Sequence, residues 1–108
     1  MIPIVNLEQR MEQIQKLWSP VDIARVNDQV VRMALIQGAY HWHRHQHEDE
    51  LFYVLEGEII IELKDQPDVR LRSGEMAVIP KDVEHRPTSE GRSYIVMFEP
   101  VLLQSRGD

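Results

Sequence analysis

From Val21 to Pro100 the chain breaks into eight short β-rich runs, each stopped by turn residues. The runs are "VDIARV", "VVRMALIQ", "AYHWHRH", "ELFYVLE", "EIIIELK", "VRLR", "EMAVIP" and "SYIVMFEP". The breaks fall at Asn27 and Asp28, Gly38, Gly57, the "DQPD" around Pro67, Gly74 and Gly91, all residues that tolerate a chain reversal. Eight strands of this length predict a sandwich or barrel. In "EIIIELK", Ile59, Ile61 and Leu63 share one parity and Glu58, Glu62 and Lys64 the other, as a half-buried strand requires; Ile60 interrupts the polar face. "ELFYVLE" is apolar at both parities, through Leu51, Tyr53 and Leu55 on one and Phe52 and Val54 on the other. Both faces of that strand are expected to be covered, by a second sheet, an N-terminal helix or another subunit.

Upstream, "NLEQRMEQIQKLW" places Leu7, Met11, Ile14 and Leu17 or Trp18 at helical spacing, with Asn6 as N-cap, Gln9 in the capping-box position and Pro20 as the stop. This predicts an amphipathic helix over about residues 6–18, packed on the domain edge. The 108 residues fit one domain, 1–108, with the barrel over about 21–100 and a short C-terminal tail. No apolar run is long enough to span a bilayer and the N-terminus has neither a basic nor an apolar signal region, so a cytoplasmic location is expected. Cysteine is absent, which leaves nitrogen and oxygen as the metal donors. A net charge of −6 with scattered Lys and Arg argues against nucleic acid as a partner.

The stretch "HWHRHQHEDE" holds four of the five histidines, His41, His43, His45 and His47, at alternate positions, followed by three acids. On a strand they would share a face. Packed imidazoles have polar nitrogens to satisfy, and protonated ones repel. A divalent cation removes the conflict by accepting the lone pairs of neutral rings, and Glu50, opening the next run, can reach back toward the same point.

In these residues the chain resembles the cupins, small jelly-roll barrels with two motifs. The first appears as Gly38, His43-x-His45, four residues, Glu50, six residues and Gly57; the second as Gly74, five residues, Pro80, Lys81, Asp82, two residues and His85. Only the pair His43 and His45 has the family spacing to Glu50. The resemblance implies an all-β cupin jelly roll of two antiparallel sheets with a short N-terminal helix. It also implies one divalent transition metal, Fe, Mn, Zn or Ni, held by His43, His45, Glu50 and His85. Asp82 stands where the family has Gly and Ser89 where it has Asn, and one residue is missing between Gly38 and His43. Asp tolerates left-handed backbone better than most residues.

The expected function is a metal-dependent enzyme acting on a small molecule, of dioxygenase, isomerase or lyase type. The alternatives are a noncatalytic ligand-binding cupin and a metal-sequestering protein that uses all the clustered histidines. Stoichiometry separates the last, since sequestration needs two or more ions per chain. His41 and His47 are expected outside the ligand set. Glu48 or Asp49 is a candidate acceptor for a ligand's ring N–H. Tyr40, Arg44, Lys81 and Arg86 are candidates for holding an anionic substrate, although parity turns Arg44 away from the ligand face. Trp42, Phe52 and Tyr53 are expected in the core. The double-faced "ELFYVLE" predicts a homodimer.

Overall fold

The structure, a computed structural model, describes residues 1–107. It contains α1 (Leu7–Gln13), β1 (Val21–Val26), β2 (Gln29–Ala39), β3 (Glu50–Glu56), β4 (Glu58–Leu63), β5 (Gln66–Arg72), β6 (Met76–Ile79) and β7 (His85–Pro100). Every strand pairing is antiparallel. One arm runs β1-β2-β7-β3-β6 and the other hangs β4 and β5 on the first half of β7. Inward residues of both arms meet in one core: Ala34 and Ile36 from β2, Phe52 and Val54 from β3, Ile59 and Ile61 from β4, Ile95 and Met97 from β7. This is a jelly-roll barrel. Among the described residues no helix is long and apolar enough to cross a membrane.

The helix is shorter than its apolar spacing predicts. Asn6 caps it, accepting from Gln9 N–H at 2.9 Å, but it ends at Gln13 rather than running on toward Pro20. Ile14 is already extended and 7% exposed, because it leaves the helix to fill a cluster with Ile23, Met33 and Leu35 on the outer face of the sheet. The chain then turns inward. Trp18 adopts φ 57°, donates its backbone N–H to the Leu35 carbonyl at 2.9 Å and its indole N–H to the Gln37 carbonyl at 3.0 Å. Burying two differently facing anchors within five residues is incompatible with helix.

Among the described residues seven strands form rather than eight. "AYHWHRH" is not a strand: β2 ends at its first residue, Ala39, and beyond that only His43 pairs among the described residues, as an isolated antiparallel bridge to His85. Nor does the chain reverse at Gly91, since β7 runs through it from one arm to the other. Ser89 explains this locally: its hydroxyl meets the Gly91 carbonyl and the Ser93 hydroxyl, both at 2.7 Å, and pins the bend within the strand. The reversal expected around Pro67 falls at Lys64 and Asp65 instead, with Asp65 at φ 59°. Gly57 is required where it is. It lies at φ 104°, and a Cβ there would run into the Ser93 side chain.

Strand β3 is covered unequally. Phe52 and Val54 face the core, while Leu55 packs beneath the N-terminal segment with Met11, Tyr94 and Val96. The opposite end of the same outer face stays open. Leu51 pairs with Val78 and with Phe98, Tyr53 pairs with Met76, and Met76, Val78 and Phe98 are 58%, 54% and 37% exposed.

Candidate metal centre

Residues 40–49 cross one end of the barrel without regular structure, yet backbone bonds fix them firmly. His43 and His85 exchange both N–H groups with each other's carbonyls, at 3.0 and 2.8 Å, and the His45 carbonyl accepts from Asp82 N–H at 2.7 Å. Asp82 sits at φ 67°, so the residue that stands in a glycine position adopts the left-handed backbone it was expected to tolerate. Asp49 accepts from Lys81 N–H at 2.8 Å and ties the loop to the turn before β7. These bonds deliver His43, His45 and His85 to one point, and β3 delivers Glu50 to the same point from its first residue.

Donor atoms of these four residues lie within 4.8 Å of one another. His45, Glu50 and His85 are buried, at 2%, 2% and 1% exposure. Glu50 Oε1 is 3.3 Å from His45 Nε2 and 3.5 Å from His85 Nε2. Two of the tautomers follow from the backbone. His43 Nδ1 faces the His41 carbonyl at 3.0 Å and His85 Nδ1 the Val83 carbonyl at 2.9 Å; a carbonyl only accepts, so each ring carries its proton there. Both Nε2 lone pairs then face inward. His85 Nε2, both nitrogens of His45 and Glu50 Oε1 are buried with no hydrogen-bond partner among the described residues. Lone pairs converging on a carboxylate oxygen repel, and a divalent cation placed among them would convert this conflict into bonds. Burial pushes the His43 imidazole down to about 4, so it is neutral at physiological pH, the form that binds metal.

The residues around this cluster sort themselves clearly. The backbone carbonyls of His41 and Val83, not Glu48 or Asp49, orient the histidine rings. The side chains of His41 and His47 lie outside the cluster, both exposed; His41 Nε2 donates to the Arg106 carbonyl at 2.8 Å. Three of the four supposed anion holders point elsewhere. Arg44 pairs with Asp82 at 3.4 Å, Arg86 pairs with Glu62 at 2.8 Å and stacks 5.0 Å over Trp42, and Lys81 is exposed. Trp42 is therefore a 40%-exposed surface residue and not part of the core. Tyr53 is half-buried on the outer face, and Phe52 is core as expected.

Two residues that matter here escaped sequence reasoning. Glu99 on β7 points inward, 1% exposed, and hydrogen-bonds Glu50. Burial, then the bond to Glu50 and its charge, pushes Glu99 up to about 9 against the pull of Arg32, while Glu50 is held below the usual carboxylate range. Glu99 therefore carries the proton between the two carboxyls. Arg32 grips Glu99, Asp22 and the carbonyls of Val101 and Leu103 at once. The signal was an acid at an inward parity of "SYIVMFEP". The second residue is Trp18, which lines a cavity beside the cluster with Tyr40, His43, Glu50, Phe52 and Met97. It stacks on Tyr40 at 4.8 Å. The C-terminal tail closes one side of this cavity through Ser105, and Gly107 presses on His43, where a Cβ would come within 2.6 Å of the His43 Cβ.

Comparison with known proteins agrees with this architecture. Residues 31–100 match the Cupin domain family, Cupin_2. The YdbB protein of Bacillus subtilis (strain 168) is 38% identical over 94 residues, 87% of this chain and 83% of its own. The crystal structure of a cupin-2 domain protein from Shewanella frigidimarina NCIMB 400 superposes with a TM-score of 0.87 at 37% identity, covering 90% of this chain and 94% of that one. A 3-hydroxyanthranilate 3,4-dioxygenase of Xanthomonas oryzae pv. oryzae is 28% identical over 114 residues, all of this chain and 65% of the enzyme. With its barrel, both motifs and these relatives in agreement, the chain belongs to the cupin family.

Proposed function

We propose that His43, His45, Glu50 and His85 hold one divalent transition metal and that the chain is a metal-dependent enzyme on a small molecule, of dioxygenase type with Fe(II). The buried, mutually repelling lone pairs carry this reading, because a hydrogen-bonded histidine cluster would have found partners for them. The metal supplies Lewis acidity or, as iron, a site for oxygen chemistry. The chain's own residues do the rest. Glu50 offsets part of the cation's charge, the His41 and Val83 carbonyls hold two rings in the metal-binding tautomer, and Phe52, Ile95 and Met97 keep water from the cavity side. Similarity to the 3-hydroxyanthranilate dioxygenase supports the oxygen-using type. The position of His41 and His47 outside the cluster speaks against sequestration. The test is anaerobic loading with Fe(II) followed by an oxygen-uptake screen over small phenols, thiols and keto acids. Uptake in one class, lost in the Glu50→Ala variant, is the expected result. Tight Fe(II) binding without uptake by any class contradicts the dioxygenase type and returns the isomerase, lyase and ligand-binding alternatives.

We also propose that the chain is a homodimer, with the open outer face of β3, β6 and β7 buried between copies. The N-terminal segment covers only the Met33 and Leu35 half of that face, and leaves Leu51, Met76, Val78 and Phe98 as a contiguous apolar patch. Light scattering at micromolar concentration is expected to give twice the 12.7 kDa chain mass, and Val78→Lys is expected to return it to 12.7 kDa. A wild-type mass of one chain refutes the dimer.

A further inference from the structure

We infer that Arg32 and Glu99 are positioning residues for the cluster: Arg32 fixes Glu99, and Glu99 fixes the Glu50 carboxyl with Oε1 turned toward His45 and His85. This rests on the metal reading above and adds to it what sets the orientation of the one carboxylate in the set.

The register of three neighbouring strands builds this line of contacts. On β7, Glu99 pairs with Val30 of β2, and the Leu51 to Phe98 register, carried one step on, sets Glu50 of β3 opposite Glu99 on its other side. Arg32 lies two residues on from Val30, at the inward parity of Ala34 and Ile36. A cation and two carboxyls thus stand side by side on the inner wall, with little or no contact with water. Like charges directly opposite on adjacent strands are unfavourable, and a buried ion pair is often no more stabilising than apolar residues of the same bulk. Stability alone is a poor reason for the arrangement.

Orientation is a better one. The last torsion of a glutamate is broad, so Glu50 has no strong preference of its own for the direction of its oxygens. Its Oε1 nevertheless stands 3.3 Å from His45 Nε2 and 3.5 Å from His85 Nε2. Among the described residues the Glu99 side chain bonds only Arg32 and Glu50. Arg32 is itself immobilised, by Asp22 at 2.9 Å and by the Leu103 and Val101 carbonyls at 2.9 and 3.0 Å. It bonds none of the four cluster residues, so it reaches the cluster only through Glu99.

The test loads the full chain with Co(II), whose visible absorption reports the arrangement of its ligands, and measures affinity against a competing chelator. Circular dichroism first establishes that each variant is folded. Glu99→Gln keeps a donor for Glu50 and an acceptor for Arg32, and is expected to keep the parent spectrum and an affinity within about threefold. Glu99→Leu is expected to shift the bands and weaken binding by about tenfold or more. Arg32→Met is expected to shift them too, and to have no further effect in the Glu99→Leu background. A Leu variant indistinguishable from the parent, a Gln variant that behaves like Leu, or an Arg32→Met effect of equal size in both backgrounds overturns the positioning role and leaves the metal reading standing. If Glu99→Leu alone does not fold, the double variant, with apolar groups in place of the buried pair, is compared with the parent and the Gln variant instead. If the parent binds no Co(II), the metal reading fails by itself. Crystal structures of the metal-free variants then decide the positioning role: Glu50 Oε1 facing both rings in the Gln variant and turned away in the Leu variant supports it, and any other pattern overturns it.

Discussion

Replacing His45 or His85 with Ala is expected to strip the chain of most of its metal, while His41→Ala keeps it. Both histidines are buried, at 2% and 1% exposure, and neither spare histidine of the loop is placed to replace them: His41 is turned to the Arg106 carbonyl and His47 lies exposed. The loss should exceed about a hundredfold in affinity, the upper end of what disturbing a ligand's supporting residues costs. His41→Ala removes only a side chain. The contact it makes to the cluster is through its backbone carbonyl, which orients His43 in the variant as in the parent. Elemental analysis of the purified proteins decides the matter, and equal metal content in all three removes the assignment. Protons compete with metal for imidazole lone pairs, so the affinity is also expected to fall on acidification, with His43 giving way only toward pH about 4.

The second large effect concerns Glu99. Its carboxyl stays protonated up to about 9 in the folded chain, whereas an unfolded glutamate ionises near pH ~4.3. Between those values the folded state holds a proton that the unfolded state has released, so the Glu99 contribution is fully present at low pH and is lost as pH rises toward 9. Glu99→Gln keeps a donor for Glu50 and an acceptor for Arg32 but has no proton to lose. In metal-free protein it is expected to be more stable than the parent at pH 8 by on the order of 2 kcal/mol, with the gap closing toward pH 5. Glu99→Leu keeps the bulk and loses both bonds; it leaves the Arg32 charge short of a partner and is expected to cost about 3 kcal/mol. Urea denaturation across pH measures both. A Gln variant that tracks the parent at every pH would show that Glu99 is ionised like any surface acid.

How much of this was legible from the residues depended on the range of the forces involved. The clustering of the four residues was readable because two short stretches carry it: His43, His45 and Glu50 lie within eight positions, and His85 is held by the bridge its own turn makes with His43. Alternation marked Phe52, Val54, Ile59 and Ile61 as inward, since pleat parity is a local property. The strand drawn through "AYHWHRH" failed because its period of two comes from the demands of the cluster and not from a ladder; beyond Ala39 the loop meets β7 at a single bridge, His43 to His85. The overlong helix failed because Ile14 and Trp18 answer to opposite faces of a sheet formed later in the chain. Glu99 and Trp18 were overlooked for the same reason. Their neighbours at the site are dozens of residues away in sequence, and only the closed barrel brings them there.

The seat of Gly107 against His43 bears on how this protein should be produced. The glycine has φ 94° and no room for a side chain, and the stretch before it is threaded between Arg32, which holds the Val101 and Leu103 carbonyls, and His41, which holds Arg106. A purification handle fused at that end would pull on a segment that walls the cavity, and a polyhistidine one would bring six competing imidazoles to the doorstep of the native set. Met1 and Ile2, by contrast, project freely into solvent at the far end of the N-terminal segment. The end chosen for the handle thus decides whether a measured ion belongs to the protein or to its label.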